Sequence, residues 1–97
     1  MTTLYTFPTP QVRELALRFP SLAGAPMGST AELAAWAKIA APDAGARWAA
    51  IFILSVWSPD TPTEHGLMGF EVHDAMRSWD RVHQAAFSSW AKQPFWG

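Results

Sequence analysis

The run from Trp48 to Val56 most constrains the fold, because a single serine interrupts its apolar residues. Pro42 and Asp43 precede it as a stop and a helix cap, and the alanine-rich approach "AGARWAA" favours a helix. We predict a helix over 44–57 that is apolar nearly all the way round, as is typical of the central helix of a bundle. A buried strand at "IFILSVW" is the alternative, since short apolar runs are ambiguous by periodicity.

Capping signals predict two helices before this segment. Thr9 is a suitable cap and Pro10 suits the first position of a helix that ends at Pro20. Ser29 and Glu32 match the capping box, in which each side chain satisfies a backbone N–H near the helix start. The second helix then runs to about position 41. Its expected apolar stripe consists of Leu33, Trp36, Ala37 and Ala40.

After position 57, the sequence predicts a long connector and a final helical region. The connector, 58–69, contains two prolines and two glycines, and one helical turn over 62–65 is an open possibility. The final region covers about 70–92, and Ser78 is the expected N-cap if it divides in two. The sequence therefore predicts an all-α fold, a compact bundle of four or five helices around 44–57, in a single domain covering 1–97.

Composition excludes several classes of function. Forty-nine per cent of the 97 residues are hydrophobic and none is cysteine, so we expect a folded cytoplasmic domain without disulfides or thiolate metal sites. No apolar run reaches the ~20 residues that span a bilayer, and no signal peptide is visible. The net charge of −1 argues against nucleic acid as the main partner. The basic residues that could form a local patch are Arg13, Arg18, Arg77 and Arg81, the last two at i, i+4.

One pair of side chains has the spacing of an acid–base site. Asp80 and His83 are neighbours on one helix face, where the carboxylate can orient the imidazole. No nucleophile is evident beside them, and His83 lies on an apolar stripe, so we interpret the pair as structural and expect no enzyme. The histidines and nearby carboxylates show no metal-binding pattern, and we expect no metal and no cofactor. The histidines and carboxylates considered as metal ligands are His65, His73, His83, Glu64, Glu71 and Asp74.

The six tryptophans and six phenylalanines exceed what a core of this size readily encloses. The aromatics on apolar stripes are predicted to form the core: Trp36, Trp48, Phe52, Trp79 and Phe87. The tail pair after Pro94 either folds back over the bundle or forms an exposed anchor, of the kind found at interface hot spots. The predicted protein interface comprises Trp57, Pro59 and Met68 at the rim of the long loop, with Phe95 and Trp96 in the tail.

The C-terminal sequence "WDRVHQAAFSSWAKQPFW", preceded by "FILSVWSPDT" and "GFEVHDAM", resembles small Trp-rich proteins of bacterial plasmids, integrated elements and phages. These share a Trp-Asp-x-x-His, Ala-Phe, Trp-Ala, Pro-aromatic-Trp ending, and the resemblance covers roughly 47–96. This chain has Gln84 where the pattern has Arg. The resemblance implies a setting on a mobile genetic element, whose small proteins are often accessory or anti-defence proteins that bind a host protein.

These observations predict a small protein-binding protein of a mobile element that acts by occluding a host protein. Two alternatives stay open. One is a small enzyme that uses Asp80 and His83, and the other is a structural homodimer whose interface absorbs the surplus aromatics.

Overall fold

The computed structural model of the chain describes residues 9–58 and 65–96. This part of the chain contains five helices and no strand, so the protein is an all-α bundle. In chain order the helices are α1 (Pro10–Leu17), α2 (Thr30–Ala35), α3 (Ala44–Trp57), α4 (Val72–Ser78) and α5 (Arg81–Lys92). A short 3-10 turn, Pro20–Leu22, follows α1, and a π-helical turn, Trp36–Ala40, continues α2.

Helix α1 begins as predicted but ends before Phe19. Thr9 Oγ1 accepts a hydrogen bond from the Val12 amide at 3.3 Å, and Pro10 occupies the first turn. Proline disfavours a helical conformation in the residue before it, and Phe19 is accordingly extended, with φ −104° and ψ 100°. The Phe19 ring still enters the core, where it is 1% exposed.

Helix α2 confirms the predicted cap but not the whole predicted stripe. Ser29 Oγ accepts a hydrogen bond from the Glu32 amide at 3.1 Å. The Ala41 amide donates to the Trp36 carbonyl at 2.8 Å, five residues back, which defines the π turn. A π turn holds more residues than an α turn, so it rotates later positions around the axis. Ala40 is consequently exposed. Ala34, which precedes the π turn and was not predicted on the stripe, is buried.

Helix α3 has the predicted bounds and is the centre of the bundle. Asp43 Oδ1 accepts from the Ala46 amide at 2.8 Å and caps the helix. Ten of its fourteen residues are buried, on every side of the helix, and the strand alternative for "IFILSVW" is therefore wrong. It contacts α1, the 3-10 turn, α2, the π turn and α4. Core residues of all five helices join in one hydrophobic cluster.

The last helical region divides in two, but Ser78 is not the cap. Ser78 is the final residue of α4, where its hydroxyl donates to the Asp74 carbonyl at 3.1 Å. Trp79 and Asp80 are extended, and Asp80 is the N-cap of α5. The Gln84 side chain donates to the carbonyls of Met76 and Trp79, at 3.1 and 3.2 Å, and so satisfies acceptors left open where α4 ends.

The predicted aromatic core is confirmed, with Phe52 of α3 at its centre. Trp48, Phe52 and Trp79 are buried, and Trp36 and Phe87 are half-buried against the core cluster. The Phe52 ring lies 5.1 to 6.3 Å, centroid to centroid, from five other aromatic rings: Phe19, Phe70, Trp79, Phe87 and Trp90. Such pairs add about 0.5–1.5 kcal/mol each beyond the area that they bury.

Within the described ranges, no helix combines the length and apolarity needed to cross a bilayer. The predicted i, i+4 pairing of Arg77 with Arg81 does not form, because the break at 79–80 places the two arginines on different helices.

Truncation of Phe52 tests the aromatic centre of the core. We expect Phe52→Ala to lower the free energy of unfolding by about 3–5 kcal/mol, because it removes a buried ring and leaves a cavity. Chemical denaturation followed by circular dichroism measures the change, with Phe52→Leu as a milder variant. Leu17→Ala, at a side chain 79% exposed, is the matched control and should stay within about 0.5 kcal/mol. If Phe52→Ala and Leu17→Ala lowered the free energy of unfolding equally, Phe52 would not be the centre of the core.

Candidate functional site

The first polar cluster of the fold forms at the break between α4 and α5. Asp80 is extended, with φ −80° and ψ −176°, and its carboxylate turns back over the start of α5. Oδ1 accepts hydrogen bonds from the His83 amide at 3.0 Å and from the His83 ring nitrogen Nδ1 at 2.7 Å. One carboxylate oxygen thus caps the helix and orients the imidazole.

The imidazole of His83 lies in an aromatic pocket. The residue is 7% exposed, and with Ala86 it forms the buried face of α5. The Phe19 ring meets it edge-on with centroids 5.7 Å apart, and the Trp79 ring stacks on it at 6.3 Å. The prediction that His83 is a hydrogen-bonded, buried histidine is therefore confirmed. The packing leaves its two ring nitrogens directed at polar partners.

The second partner of His83 is Ser21, which sequence analysis did not single out. Ser21 Oγ lies 2.8 Å from Nε2, and the Ser21 amide donates to the same nitrogen over a longer 3.4 Å. Asp80 accepts a hydrogen bond from Nδ1–H, so in the neutral ring Nε2 is an acceptor for the Ser21 hydroxyl. Ser21, His83 and Asp80 therefore form a hydroxyl–imidazole–carboxylate series with the donor order of a catalytic triad.

This series opens into a cleft of about 150 Å³. The cleft is lined by residues of the 3-10 turn, the start of α3 and the α4–α5 break: Ser21, Asp43, Gly45, Ala46, Ser78, Trp79, Asp80 and His83. The backbone approaches closely at Gly45, because a Cβ there would stand 3.1 Å from the Ser78 carbonyl oxygen, which favours glycine. That close approach also allows the indole Nε1 of Trp79 to donate to the Gly45 carbonyl at 3.0 Å.

Hydrogen bonding makes Asp80 a stronger acid than usual. The bond from the His83 amide, followed by the bond from the His83 ring, lowers the pKa of Asp80 below the ordinary value of 3.8, and slight burial opposes the shift. The Asp80 side chain is 66% exposed, so solvent screens its charge. The anionic form of Asp80 is thus favoured, and this is the form that accepts a hydrogen bond from Nδ1–H.

A second feature is the aromatic C-terminus. The indole Nε1 of Trp90 donates to the Phe95 carbonyl at 3.1 Å and fixes the tail after α5 ends. Phe95 packs half-buried against the core. Trp96 meets the Trp90 ring edge-on, with centroids 5.2 Å apart, and remains 64% exposed. The two outcomes predicted for the tail thus divide between its residues: Phe95 folds back and Trp96 projects.

A groove of about 260 Å³ lies beside this tail, between α1 and the end of α5. Its walls carry polar and apolar groups: Gln11, Glu14, Leu15, Arg18, Ser89, Trp90, Gln93 and Phe95. Arg18 Nη1 donates to Ser89 Oγ at 3.2 Å across it. The tail and the groove together form what we call the C-terminal surface.

The loop residues predicted for the interface occupy different places. Trp57 is 5% exposed and belongs to the core, so its ring is not at the rim as predicted; it is the last residue of a helix that is buried all round. Met68 is 62% exposed. Pro59 lies outside the described residues, as do Glu64 and most of the possible turn at 62–65. His65 is in a turn, and its carbonyl accepts from Lys38 Nζ at 3.1 Å.

Over the described ranges, no group of three or more His, Asp or Glu side chains is arranged to hold a metal ion. Comparison of the chain with known protein families, curated proteins and solved structures finds no match. The site therefore rests on its own geometry.

Acid unfolding tests the bond between Asp80 and His83. The pKa of Asp80 is lower in the folded than in the unfolded chain, so its stabilisation is complete above the unfolded value and disappears as the pH falls through the folded one. We expect the difference in unfolding free energy between the wild type and Asp80→Asn to shrink as the pH falls from about 6 to about 3. Urea titrations across this range measure it. A difference that does not change with pH would contradict the bond.

Proposed function

We propose that this chain is a small accessory protein of a mobile genetic element that acts by binding, and so occluding, a host protein. The exposed indole of Trp96 is the observation that carries the proposal. Tryptophan is enriched among the residues that dominate binding energy at protein interfaces, where it fills a pocket of the partner. The Trp96 indole is 64% exposed beside a groove, so a partner can still bury most of its apolar surface.

The support for Trp96 is preorganisation as well as exposure. The Trp90 indole bonds the Phe95 carbonyl, and Phe95 packs on the core, so the residue before Trp96 is held in place. An anchor held in its binding position loses less conformational entropy on association than one on a free tail. Arg18 and Glu14, on the wall of the adjacent groove, would supply charged contacts at the rim.

The setting on a mobile element and the accessory role come from the resemblance of the C-terminal motif. In the fold, the residues of that motif lie in two places. The Trp-Asp-x-x-His part forms the α4–α5 break and the cleft, and the Pro-aromatic-Trp part forms the C-terminal surface. One motif thus supplies both the polar pair, Asp80 and His83, and the projecting Trp96. This agrees with a binding role for the motif, and we propose that the partner is a protein.

Substitution of Trp96 tests the proposal with little risk to the fold. We expect wild-type protein on a solid support to capture a partner from a lysate of the source cells, and Trp96→Ala to lose it. Ile39→Ala, at a side chain 83% exposed on the π turn, is the control for general apolar stickiness and should retain the partner. Truncation of an interface hot spot costs about 2 kcal/mol or more, roughly a 30-fold loss of affinity, which titration of the purified partner measures.

Two results would contradict the proposal. If Trp96→Ala and wild type capture the same proteins with equal affinity, the C-terminal surface is not the interface. If light scattering shows a dimer of the wild type that Trp96→Ala converts to a monomer, the surface binds a second copy of the chain, as the homodimer alternative requires.

A further inference from the structure

We propose that Ser21 is a nucleophile that accepts acyl groups from short, uncharged esters, with His83 as its general base. The proposal is independent of the protein-binding function, because it rests on the cleft at the α4–α5 break and not on the C-terminal surface. Three features carry it: the hydrogen-bond order of the series, the amides beside it, and the size and charge of the cleft.

The hydrogen-bond order gives Ser21 a base in contact with its proton. Nε2 of His83 is 2.8 Å from Oγ, within the 2.6–3.2 Å reach that general-base catalysis requires. Asp80 holds the ring by Nδ1 at 2.7 Å, which selects the tautomer with an unprotonated Nε2 and stabilises the imidazolium formed on proton transfer. The longer 3.4 Å bond from the Ser21 amide holds the same nitrogen next to Ser21.

The start of α3 supplies donors for the charge that develops on the carbonyl oxygen. Gly45 and Ala46, in its first turn, line the same cleft as Ser21. The first amides of a helix lack intrahelical acceptors and carry the positive end of its dipole. Because Asp43 already accepts from the Ala46 amide, at 2.8 Å, the proposal assigns the donor role to the amide of Gly45, the other α3 residue that lines the cleft. Donors of this kind stabilise the oxyanion of acyl transfer.

The cleft limits the substrate. At about 150 Å³ it is smaller than the roughly 300–1,000 Å³ of sites that enclose drug-sized ligands, so it suits an acetyl or propionyl group and leaves the alcohol part outside. The carboxylates of Asp43 and Asp80 are both at its wall. They repel an anionic acyl chain, and the site therefore favours neutral esters.

The chemical step needs only the ester and water. Oγ of Ser21 bonds to the carbonyl carbon while its proton moves to Nε2 of His83, and the carbonyl electron pair moves to the oxygen. The tetrahedral adduct collapses as the bond from carbon to the leaving oxygen breaks, and that oxygen takes the proton from Nε2. Water repeats the sequence on acyl-Ser21, which releases the carboxylic acid and restores the hydroxyl.

The full chain treated with p-nitrophenyl acetate tests the proposal. We expect a burst of p-nitrophenolate that approaches one per chain, and peptide mass spectrometry that finds the acetyl group on Ser21. Urea-unfolded protein should show no burst, because Ser21 loses its base. Ser88→Ala, at an exposed serine of α5 that lines neither the cleft nor the groove, should retain the burst, and Ser21→Ala should lose it. An ester with a terminal carboxylate on its acyl chain should react more slowly.

His83→Gln and Asp80→Asn separate a catalytic from a structural role. Each should slow the burst at least about 100-fold, because one removes the base and the other its preferred tautomer. Circular dichroism checks that each variant is folded. If a variant does not fold, the comparison of the burst from folded and from urea-unfolded wild-type protein still tests the proposal. Acetylation confined to lysines or to His83, or Ser21 labelling that is as fast in urea, would overturn the proposal and leave Ser21 as a packing partner of His83.

Discussion

The fold depends on the burial of α3 from every side. Beyond Arg47, α3 has no solvated face, and such a helix can be covered only if the other helices surround it. Small residues at Ala46, Ala49 and Ala50, none of them exposed, let neighbouring backbones approach closely. Phe52 occupies the centre of the aromatic cluster, which joins the turn after α1, the α4–α5 break and α5 to α3.

The polar cleft is a consequence of the same packing. The break at Trp79 brings an indole to the start of α3, and the Trp79–Gly45 hydrogen bond holds the break there. Asp80 and His83 follow directly in the chain, and Phe19 brings Ser21 to them because the two residues flank Pro20. The series of Ser21, His83 and Asp80 is therefore positioned by buried aromatic rings, which fix both ends of the hydrogen-bonded chain.

Local signals predicted the parts of the fold that local chemistry controls. The bounds of α3 and the caps Thr9, Ser29 and Asp43 follow from residue type and spacing, and all are confirmed. The prediction of Ser78 as the α5 cap was wrong, because serine and aspartate both cap well and residue type alone does not decide between neighbouring positions. Asp80 is favoured because its carboxylate bonds the His83 ring as well as the amide.

The candidate site was predictable only in part, because it combines near and distant positions. The i, i+3 spacing of Asp80 and His83 indicated their pairing, whereas Ser21 is 62 positions away from His83 and reaches it only through tertiary packing. No motif marks that serine, and only its position after Pro20 suggests an ordered turn. Trp57 and Trp96 are likewise both tryptophans, but Trp57 is buried and Trp96 is exposed. Their exposure depends on their place in the fold, at the end of α3 and in the C-terminal tail, and not on residue type.

Amide hydrogen exchange followed by NMR tests the central role of α3 most directly. The account predicts that amides within Ala49–Val56 are the slowest in the protein to exchange, with opening free energies equal to that of global unfolding, because α3 is exposed only when the surrounding helices separate. The amides of α1 and α5 should open at lower free energies. Exchange in α3 as fast as in α1, through local opening, would contradict the claim that the bundle is assembled around it.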